Sequence, residues 1–399
     1  MKKLPIVILM FLISYGSIGA VTFVAGLPLI ATYFKVSSDT VNYTMTSYLF
    51  GYAFGQLIYG PLTNRFGIYQ SLRIGTIISL IGTIGAIASY YVKCFPLLVI
   101  ARCIMALGAA CGLKMTFTLS SKLYPHNESA RIMGLLTMAF AITPSMGIYL
   151  GSIAITISNW TGGFYIMLAY STIILLLINR LPLHLDGKCW TKLDIQSILS
   201  GYFYQFRSYQ IILGGMLVGI GSSFVYIFAS VSPFIAMGHL HLSAVEFGHY
   251  SFIPSIGIAI GSIFASYLGK ITTPQKCLLL GIIISLLGSI IMTISYIILP
   301  NNVLNLFIPM IIIYIGLSFI FGNAGAMAMK NVTDKSNASA VMSFINMASA
   351  VIIVSIIGIF SLYSQLELII IYFILIILGF IWFVLLMKFN HRDAQNALT

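Results

Sequence analysis

The sequence has very few charged residues for its length. Only 7% of its 399 residues are Asp, Glu, Lys or Arg, whereas an average soluble domain carries about 25%. Apolar residues make up 59% of the chain. A surface that faces water on all sides cannot be built from this composition, so an ordinary soluble protein is excluded and a membrane protein is predicted.

Acidic residues are especially scarce, with eight Asp and Glu against twenty Lys and Arg and a net charge of +12. Such an excess of positive charge can indicate a nucleic-acid partner. Here, however, the charges interrupt apolar runs of about twenty residues, which is the length that crosses a bilayer. We therefore expect no nucleic acid and interpret most of the charges as topology signals.

The five cysteines are scattered and show neither a CxxC motif nor a Cys/His spacing, so the sequence indicates no zinc site and no disulfide framework. It also lacks G-x-S-x-G and phosphate-loop motifs. We therefore expect no metal, no cofactor and no enzymatic activity.

The apolar runs predict an all-α integral-membrane fold of twelve spans. The first run reaches Phe34, too long for the apolar core of a signal peptide, so we interpret it as an uncleaved span. The predicted spans are 5–34, 40–62, 73–92, 96–120, 131–157, 161–180, 209–236, 246–269, 277–299, 306–329, 337–361 and 367–388.

The distribution of Lys and Arg supports this topology. With the N-terminus inside, sixteen of the twenty fall on the inner side. Lys35 and Lys93 fall outside, and Arg102 and Lys114 fall within helix 4. Because cytoplasmic loops are enriched in Lys and Arg, both termini are predicted to be cytoplasmic and the protein to lie in the inner membrane.

The longest interruption divides the chain into two halves. It predicts an N-terminal six-helix bundle (1–180), a cytoplasmic central loop (181–208) and a C-terminal six-helix bundle (209–399). Within the loop, residues 193–199 are either a short interfacial helix or part of a simple tether. Two six-helix bundles with a basic loop are typical of transporters in which the bundles rock about a midplane site.

Residues 55–67 read G-Q-L-I-Y-G-P-L-T-N-R-F-G. This resembles the cytoplasmic motif of the major facilitator superfamily, in the form found in the Bcr/CflA-like branch of the drug:proton antiporters. Shorter matches follow in order at the expected helices: Leu27-Pro28, Ala101-Arg102, P-H-N-E-S-A-R at 125–131, Thr143-Pro144-Ser145-Met146-Gly147 with Gly151, Ser232-Pro233-Phe234, Gly322-Asn323-Ala324 and Asn337-Ala338-Ser339-Ala340.

The resemblance implies a major facilitator fold and a secondary transporter that exports a small molecule by alternating access. It also implies gating roles for two segments. One is the loop with Gly60, Asn64, Arg65 and Gly67; the other is the helix 5 segment with Pro144, Gly147 and Gly151. Where the family has an acid that faces the N-terminus of helix 11, this chain has Asn64, so we expect a weaker inward gate.

The chain also departs from the family pattern inside the membrane. Proton-coupled relatives carry an intramembrane acid, but here all eight acids fall in loops or at helix ends, with Val24 at the branch's helix 1 position. Proton antiport through such an acid is therefore in question. His249 with Glu246 is an alternative proton site, and a solvated loop histidine is the plainer interpretation.

The charges left inside are cations, Arg102 and Lys114, about 18 Å and about 120° apart on a straight helix. Intramembrane charges usually face a cavity, so both are candidate substrate-binding residues that favour an anionic substrate. The alternatives are a structural arginine bonded to carbonyls and a lysine whose side chain extends to the inner interface.

Other candidates for substrate binding are polar or aromatic residues within the spans; packing is the alternative role for each of them. They are Tyr15, Tyr48, Tyr52, Tyr226, Phe228 and Asn323.

Three functions stay open at this point. The chain is an exporter of drugs and other amphipathic compounds, an exporter of an anionic metabolite such as a polycarboxylate siderophore, or a non-transporting binder. The expected partners are a small-molecule substrate, the lipid bilayer and, as a candidate coupling ion, the proton; we expect a monomer.

Overall fold

In this computed structural model the structure describes residues 3–124, 126–181, 194–330, 332 and 334–396. Every regular element in these ranges is a helix. The helices are α1 (Lys3–Val21), α2 (Leu27–Phe34), α3 (Ser38–Val92), α4 (Phe95–Ala109), α5 (Cys111–Leu123), α6 (His126–Ile157), α7 (Gly162–Ile178), α8 (Ile195–Phe206), α9 (Tyr209–Pro233), α10 (Ala244–Tyr250), α11 (Ile253–Ile271), α12 (Pro274–Ile298), α13 (Leu304–Ala328), α14 (Lys335–Ile359) and α15 (Gln365–Asn396).

The helices account for the predicted spans. Within the described residues, nine helical segments are long and apolar enough to cross a membrane, and two shorter apolar helices cover Ile142–Ile157 and Gly162–Ile178. One of the nine, α3, has 55 residues and is long enough to cross twice. The prediction of an all-α integral-membrane protein is confirmed.

The turn between the second and third predicted spans lies inside α3. The two helical stretches of α3 meet at a kink at Gly67, whose φ of 81° and ψ of 170° are non-helical. Glycine adopts positive φ readily because it has no Cβ. The predicted short loop of 63–72 is therefore confined to this one kink.

The predicted fourth span is divided rather than continuous. It consists of α4 and α5, which meet at Ala110, and the break places Arg102 and Lys114 on different helices. The separation that we calculated for these residues on one straight helix therefore does not carry over.

Local signals fix several helix ends. Ser37 and Thr273 accept hydrogen bonds from the backbone N–H groups of Thr40 and Lys276, which is the usual role of an N-cap. Lys35 and Lys93 are C-caps in the left-handed region, with φ of 53° and 55°. A cation at a helix C-terminus is stabilised by the helix dipole, which gives a local reason for the only two lysines predicted outside.

The chain forms two compact units. The first consists of Met1–Asp194 with Leu242–His249, and the second of Ile195–His241 with Tyr250–Thr399. In the first, α3 packs along α4, and α1 packs against α5, α6 and α7. In the second, α9 packs against α13, α14 and α15, while α11 and α12 cover α13. The predicted limits of the bundles stay a prediction, since 182–193 lie outside the described residues.

Candidate functional site

Arg102 lies at the centre of the first unit with no exposed surface. Its Nε donates a hydrogen bond to the carbonyl oxygen of Thr44 (3.2 Å). Its two terminal nitrogens donate to the carbonyl oxygens of Gly19 (2.7 Å) and Ala20 (3.3 Å). The guanidinium group thus joins α4 to α1 and α3 through three backbone acceptors.

Aromatic rings enclose the same guanidinium group. Its central carbon lies 3.8 Å from the ring centroid of Phe23 and 4.1 Å from that of Tyr48, with Phe164 at 5.9 Å. A cation over an aromatic face is attracted by the ring quadrupole, most strongly where water is absent. This geometry favours the structural alternative for Arg102, and a role in substrate binding stays a prediction.

Three of the tyrosines predicted for the site lie at or against α1: Tyr15 is on α1, and Tyr48 and Tyr52 are on α3. Tyr48 donates a hydrogen bond to the carbonyl oxygen of Gly16 (2.7 Å), and Tyr15 donates to Oγ of Ser171 (2.8 Å). The ring of Tyr52 occupies the space where a Cβ on Gly16 would stand. Tyr15 and Tyr52 are buried, so in this conformation they pack the unit together.

Lys114 lies on α5 and is half-buried. One turn later, the hydroxyl of Thr118 donates a hydrogen bond to the carbonyl oxygen of Lys114 (3.2 Å). Because Lys114 is less deeply buried than Arg102, it is the better candidate of the two for contact with an anion.

The structure brings forward polar groups that the sequence interpretation passed over. Oγ of Ser14 and Oγ1 of Thr143 are hydrogen-bonded at 2.8 Å and link α1 to α6 next to Pro144. Gln56 is 3% exposed, and its side-chain nitrogen has no hydrogen-bond partner among the described residues. A buried donor without a partner costs about 1–3 kcal/mol. The signal for Gln56 was an amide in the middle of an apolar span.

The second unit contributes Tyr226 and Asn323. Tyr226 on α9 is 8% exposed, and Nδ2 of Asn323 on α13 donates to the carbonyl oxygen of Phe319 (2.8 Å). Phe228 packs edge-on against Phe307 at 5.8 Å between ring centroids. Each residue thus has a packing role in this conformation, and their substrate roles stay predictions.

Four carboxylates, those of Asp39, Glu246, Asp334 and Glu367, lie at helix N-termini. Glu246 and Glu367 each accept a hydrogen bond from the backbone N–H of the serine three positions earlier, Ser243 or Ser364 (2.8 Å in both). Each serine hydroxyl accepts one in return, which makes both pairs capping boxes. Among the carboxylates whose exposure the structure describes, none is buried.

His249, the alternative proton site, lies three residues after Glu246. In the first unit its ring is 5.1 Å from that of Tyr149. The carboxylate of Glu246 accepts its hydrogen bond from the backbone N–H of Ser243. A proton relay between His249 and Glu246 therefore stays a prediction.

Of the residues predicted to form the gating loop, Gly60, Asn64 and Arg65 lie in the helical part of α3 that ends at the kink at Gly67. Asn64 is exposed, Arg65 is half-exposed and Gly60 is buried. In the second unit, the N-terminus of α14 is capped by its own carboxylate, since Oδ1 of Asp334 accepts from the backbone N–H of Asn337 (3.1 Å). The N-terminus of α14, the eleventh predicted span, therefore carries an anion of its own.

The predicted gating segment of the fifth span, with Pro144, Gly147 and Gly151, lies on α6 and makes a close contact with α1 and the residue after it. A Cβ on Gly151 would stand 1.8 Å from the carbonyl oxygen of Thr22, and one on Gly147 would stand 3.0 Å from Cγ2 of Val21. Pro144 lies inside α6 without ending it. The two glycines let the helices approach, in the manner of small-residue contacts in membranes.

These features define a polytopic membrane protein with the helical architecture of a secondary transporter. The profile of the Major Facilitator Superfamily matches residues 7–358. The chain belongs to the Major Facilitator Superfamily, whose members are transporters and not enzymes, and the family prediction is confirmed.

Individual relatives are distant. The chain is 23% identical over 328 residues to an uncharacterized transporter of Rickettsia bellii, with 79% of each protein covered. It is also 23% identical over 328 residues to multidrug resistance protein D of Escherichia coli, covering 82% of this chain and 80% of that protein. The xylose transporter XylE of E. coli, in a partially occluded inward-open conformation, shares the fold with a TM-score of 0.72 at 15% identity, over 97% of this chain and 96% of XylE.

Proposed function

We propose that this transporter exports neutral or weakly charged amphipathic small molecules across the inner membrane. Multidrug resistance protein D is among its relatives, and the motif at 55–67 resembles that of drug:proton antiporters. The observation that carries the substrate class is the position of the charges. Among the described side chains Arg102 is the one buried charge, and it is already hydrogen-bonded to three carbonyls of the protein. Asp39, Glu246, Asp334 and Glu367 lie at helix N-termini.

The test is an accumulation assay in cells with and without the protein, using matched anionic, neutral and cationic forms of one scaffold. We expect the protein to lower accumulation of the neutral form most. A change confined to the anionic form, abolished by Lys114→Gln, would replace this proposal with the metabolite exporter. Substrate binding by the purified protein without any change in accumulation would indicate a non-transporting binder.

Proton coupling is a separate part of the proposal. The described spans hold no buried carboxylate, so we propose that coupling, if present, uses a group other than an intramembrane acid. A protonophore should then abolish export while Glu246→Gln leaves it unchanged. Loss of export in Glu246→Gln, with His249→Gln reproducing it, would instead assign the proton to that pair.

We also propose that both termini are cytoplasmic, as the Lys and Arg distribution indicates, and that the protein acts as a monomer. Lys93 and Lys270 are both exposed at helix ends predicted to lie on opposite sides. In a cysteine-free background, Lys93→Cys should react with an impermeant maleimide added to whole cells, and Lys270→Cys should not. Reversed labelling would invert the topology. The mass of the detergent-solubilised protein, corrected for bound detergent, tests the monomer.

Gating is proposed for the loop at Gly67 and for the contact at Gly151. Asn64 has a hydrogen-bonding amide where the family has a charged carboxylate, and Gly67 has the positive φ of the kink. Asn64→Asp should slow the transport cycle by stabilising the inward-closed state, whereas Asn64→Ser should not. Equal rates in both variants would remove Asn64 from the gate.

A further inference from the structure

The short helix α8 presents three different faces. Around its axis, Tyr202 and Gln205 form one buried face. A second face carries the apolar residues Ile195, Leu199 and Phe203, spaced four residues apart. The third carries Gln196, Ser197 and Ser200 together with the exposed ring of Tyr204. A helix in water needs only two faces, one for the protein and one for solvent, so the apolar exposed face requires its own explanation.

Contacts with α14 hold α8 in place. Phe206 packs edge-on against Phe344 at 5.9 Å between ring centroids. A Cβ on Gly201 would stand 2.6 Å from Nδ2 of Asn337, the residue that also binds the capping carboxylate of Asp334. The orientation of α8 within the second unit is therefore fixed by these contacts.

The apolar face is exposed although the protein has buried the neighbouring one. Ile195, Leu199 and Phe203 are 67%, 60% and 59% exposed. On the simple helical wheel, the stripe lies beside the buried face, and its centre is about 100° from Ser200 and about 160° from Ser197. That is the arrangement of a helix lying along a membrane surface, with one side on protein, one on lipid and one in water.

The position of α8 along the chain keeps it at the membrane surface. Only Arg207 and Ser208 separate its end from α9, which is a candidate span that begins at Tyr209. A two-residue connection cannot carry α8 away from the bilayer surface where α9 starts. The sequence places this end of α9 on the inner side, where the leaflet is anionic.

Positive charge accompanies the apolar stripe. Arg207 is exposed, and its guanidinium carbon lies 4.5 Å from the ring centroid of Phe203. The first residue of α14, Lys335, is also exposed. Arginine suits this place because its planar fork binds phosphate while its face stacks on a ring.

We propose that α8 is an interfacial helix that binds anionic phospholipid, with Ile195, Leu199 and Phe203 among the acyl chains and Arg207 on the phosphate. Because α8 contacts α14 at Gly201 and Phe206, the lipid that binds α8 also holds the first turns of α14 in place. The inference does not depend on which substrate the protein transports.

The first test compares two positions on α8 in the full-length protein. In a cysteine-free background, Leu199→Cys and Ser197→Cys are labelled with one fluorophore and reconstituted in vesicles. Lipids with nitroxides on the acyl chains should quench the label at 199 at least three-fold more than the label at 197. Equal quenching at the two positions would overturn the proposal.

The second test separates lipid from free anion. In phosphatidylcholine vesicles, adding 30% phosphatidylglycerol should raise the quenching at 199 about two-fold, and Arg207→Gln should remove that increase. Inorganic phosphate added to pure phosphatidylcholine vesicles should have no effect. If phosphate reproduces the increase, Arg207 binds a free anion and the lipid proposal fails. If phosphatidylglycerol has no effect, the anionic part of the proposal is overturned.

Discussion

Both units of this transporter have close helix contacts at small residues, but among the described side chains only the first unit also has a buried charge. In the first unit, polar groups cross between helices, with the guanidinium group of Arg102 on three carbonyls and Tyr15 on Ser171. In the second unit, the described residues include no buried charge, and the helices meet at small residues. A Cβ on Gly257 would stand 2.1 Å from the carbonyl oxygen of Ile311, for example.

The buried charge restricts how far the helices of the first unit can shift against one another. A buried cation with three fixed acceptors tolerates one arrangement of α1, α3 and α4, because any slip leaves a charge without partners at a high cost. Contacts between small residues depend on shape alone, and packing without directional bonds allows helices to shift by small sliding steps. We infer that the first unit is the more rigid body and that the second adjusts more easily.

The largest effect is expected when the polar centre of the first unit is removed. Arg102→Met leaves three carbonyls without this donor and a cavity beside Phe23 and Tyr48, so the unfolding free energy should fall by roughly 2–4 kcal/mol. Arg102→Lys should restore only part of it, because an ammonium group cannot span the three acceptors. Thermal unfolding in detergent measures the loss.

Lys114→Met is the control for the Arg102 variants, since it removes the other cation of the predicted fourth span. It should cost less than about 1.5 kcal/mol, because the side chain is only half-buried. If Arg102→Met keeps its stability and loses transport of anions alone, Arg102 is a substrate residue and the comparison between the units fails.

The second prediction concerns the small-residue contacts of the second unit. Gly257→Ala places a methyl group against the backbone of α13 and should lower the unfolding free energy by about 1–3 kcal/mol. Gly269→Ala, on the same helix α11, meets nothing within 4 Å and should be neutral or stabilising by up to about 1 kcal/mol. Equal effects in the two variants would show that close packing does not hold this unit.

Part of this arrangement could be predicted from the sequence. Apolar runs and Lys/Arg spacing gave the spans, because both are local consequences of a hydrocarbon core about 30 Å thick. The sequence predicts a short loop containing Gly60 and Gly67 between the second and third spans, and the structure has only the kink at Gly67 there. The capping boxes at Glu246 and Glu367 are also local patterns, and they explain why the acids stand at helix ends.

The role of Arg102 could not be predicted in the same way. Its acceptors are backbone carbonyls 58 to 83 residues away, and a carbonyl is present at every position, so no side-chain pattern marks the partners. The division of the fourth span at Ala110 and the π-helix at Phe234–His239 likewise depend on packing. Substrate residues depend further on a bound molecule, which a sequence pattern alone does not specify.

A smaller effect is expected for single hydrogen bonds between helices. Tyr15→Phe removes the 2.8 Å bond to Ser171 and should cost about 0.5–1.5 kcal/mol. Tyr372→Phe in the second unit removes a longer bond of 3.3 Å to the carbonyl oxygen of Phe224 and should cost less. A larger loss in Tyr372→Phe than in Tyr15→Phe would contradict the view that polar bonds matter more in the first unit.

The smallest effect on stability is expected at Gly322, and there transport gives the decisive measurement. Gly322 begins the Gly322-Asn323-Ala324 segment, is exposed and would place a Cβ in open space. Gly322→Ala should therefore change the unfolding free energy by less than about 0.5 kcal/mol. If this segment of α13 serves only helix packing, export should also be unchanged. If the space beside Gly322 is where a substrate approaches the second unit, export should fall several-fold at unchanged stability, and Gly269→Ala should not reproduce the loss.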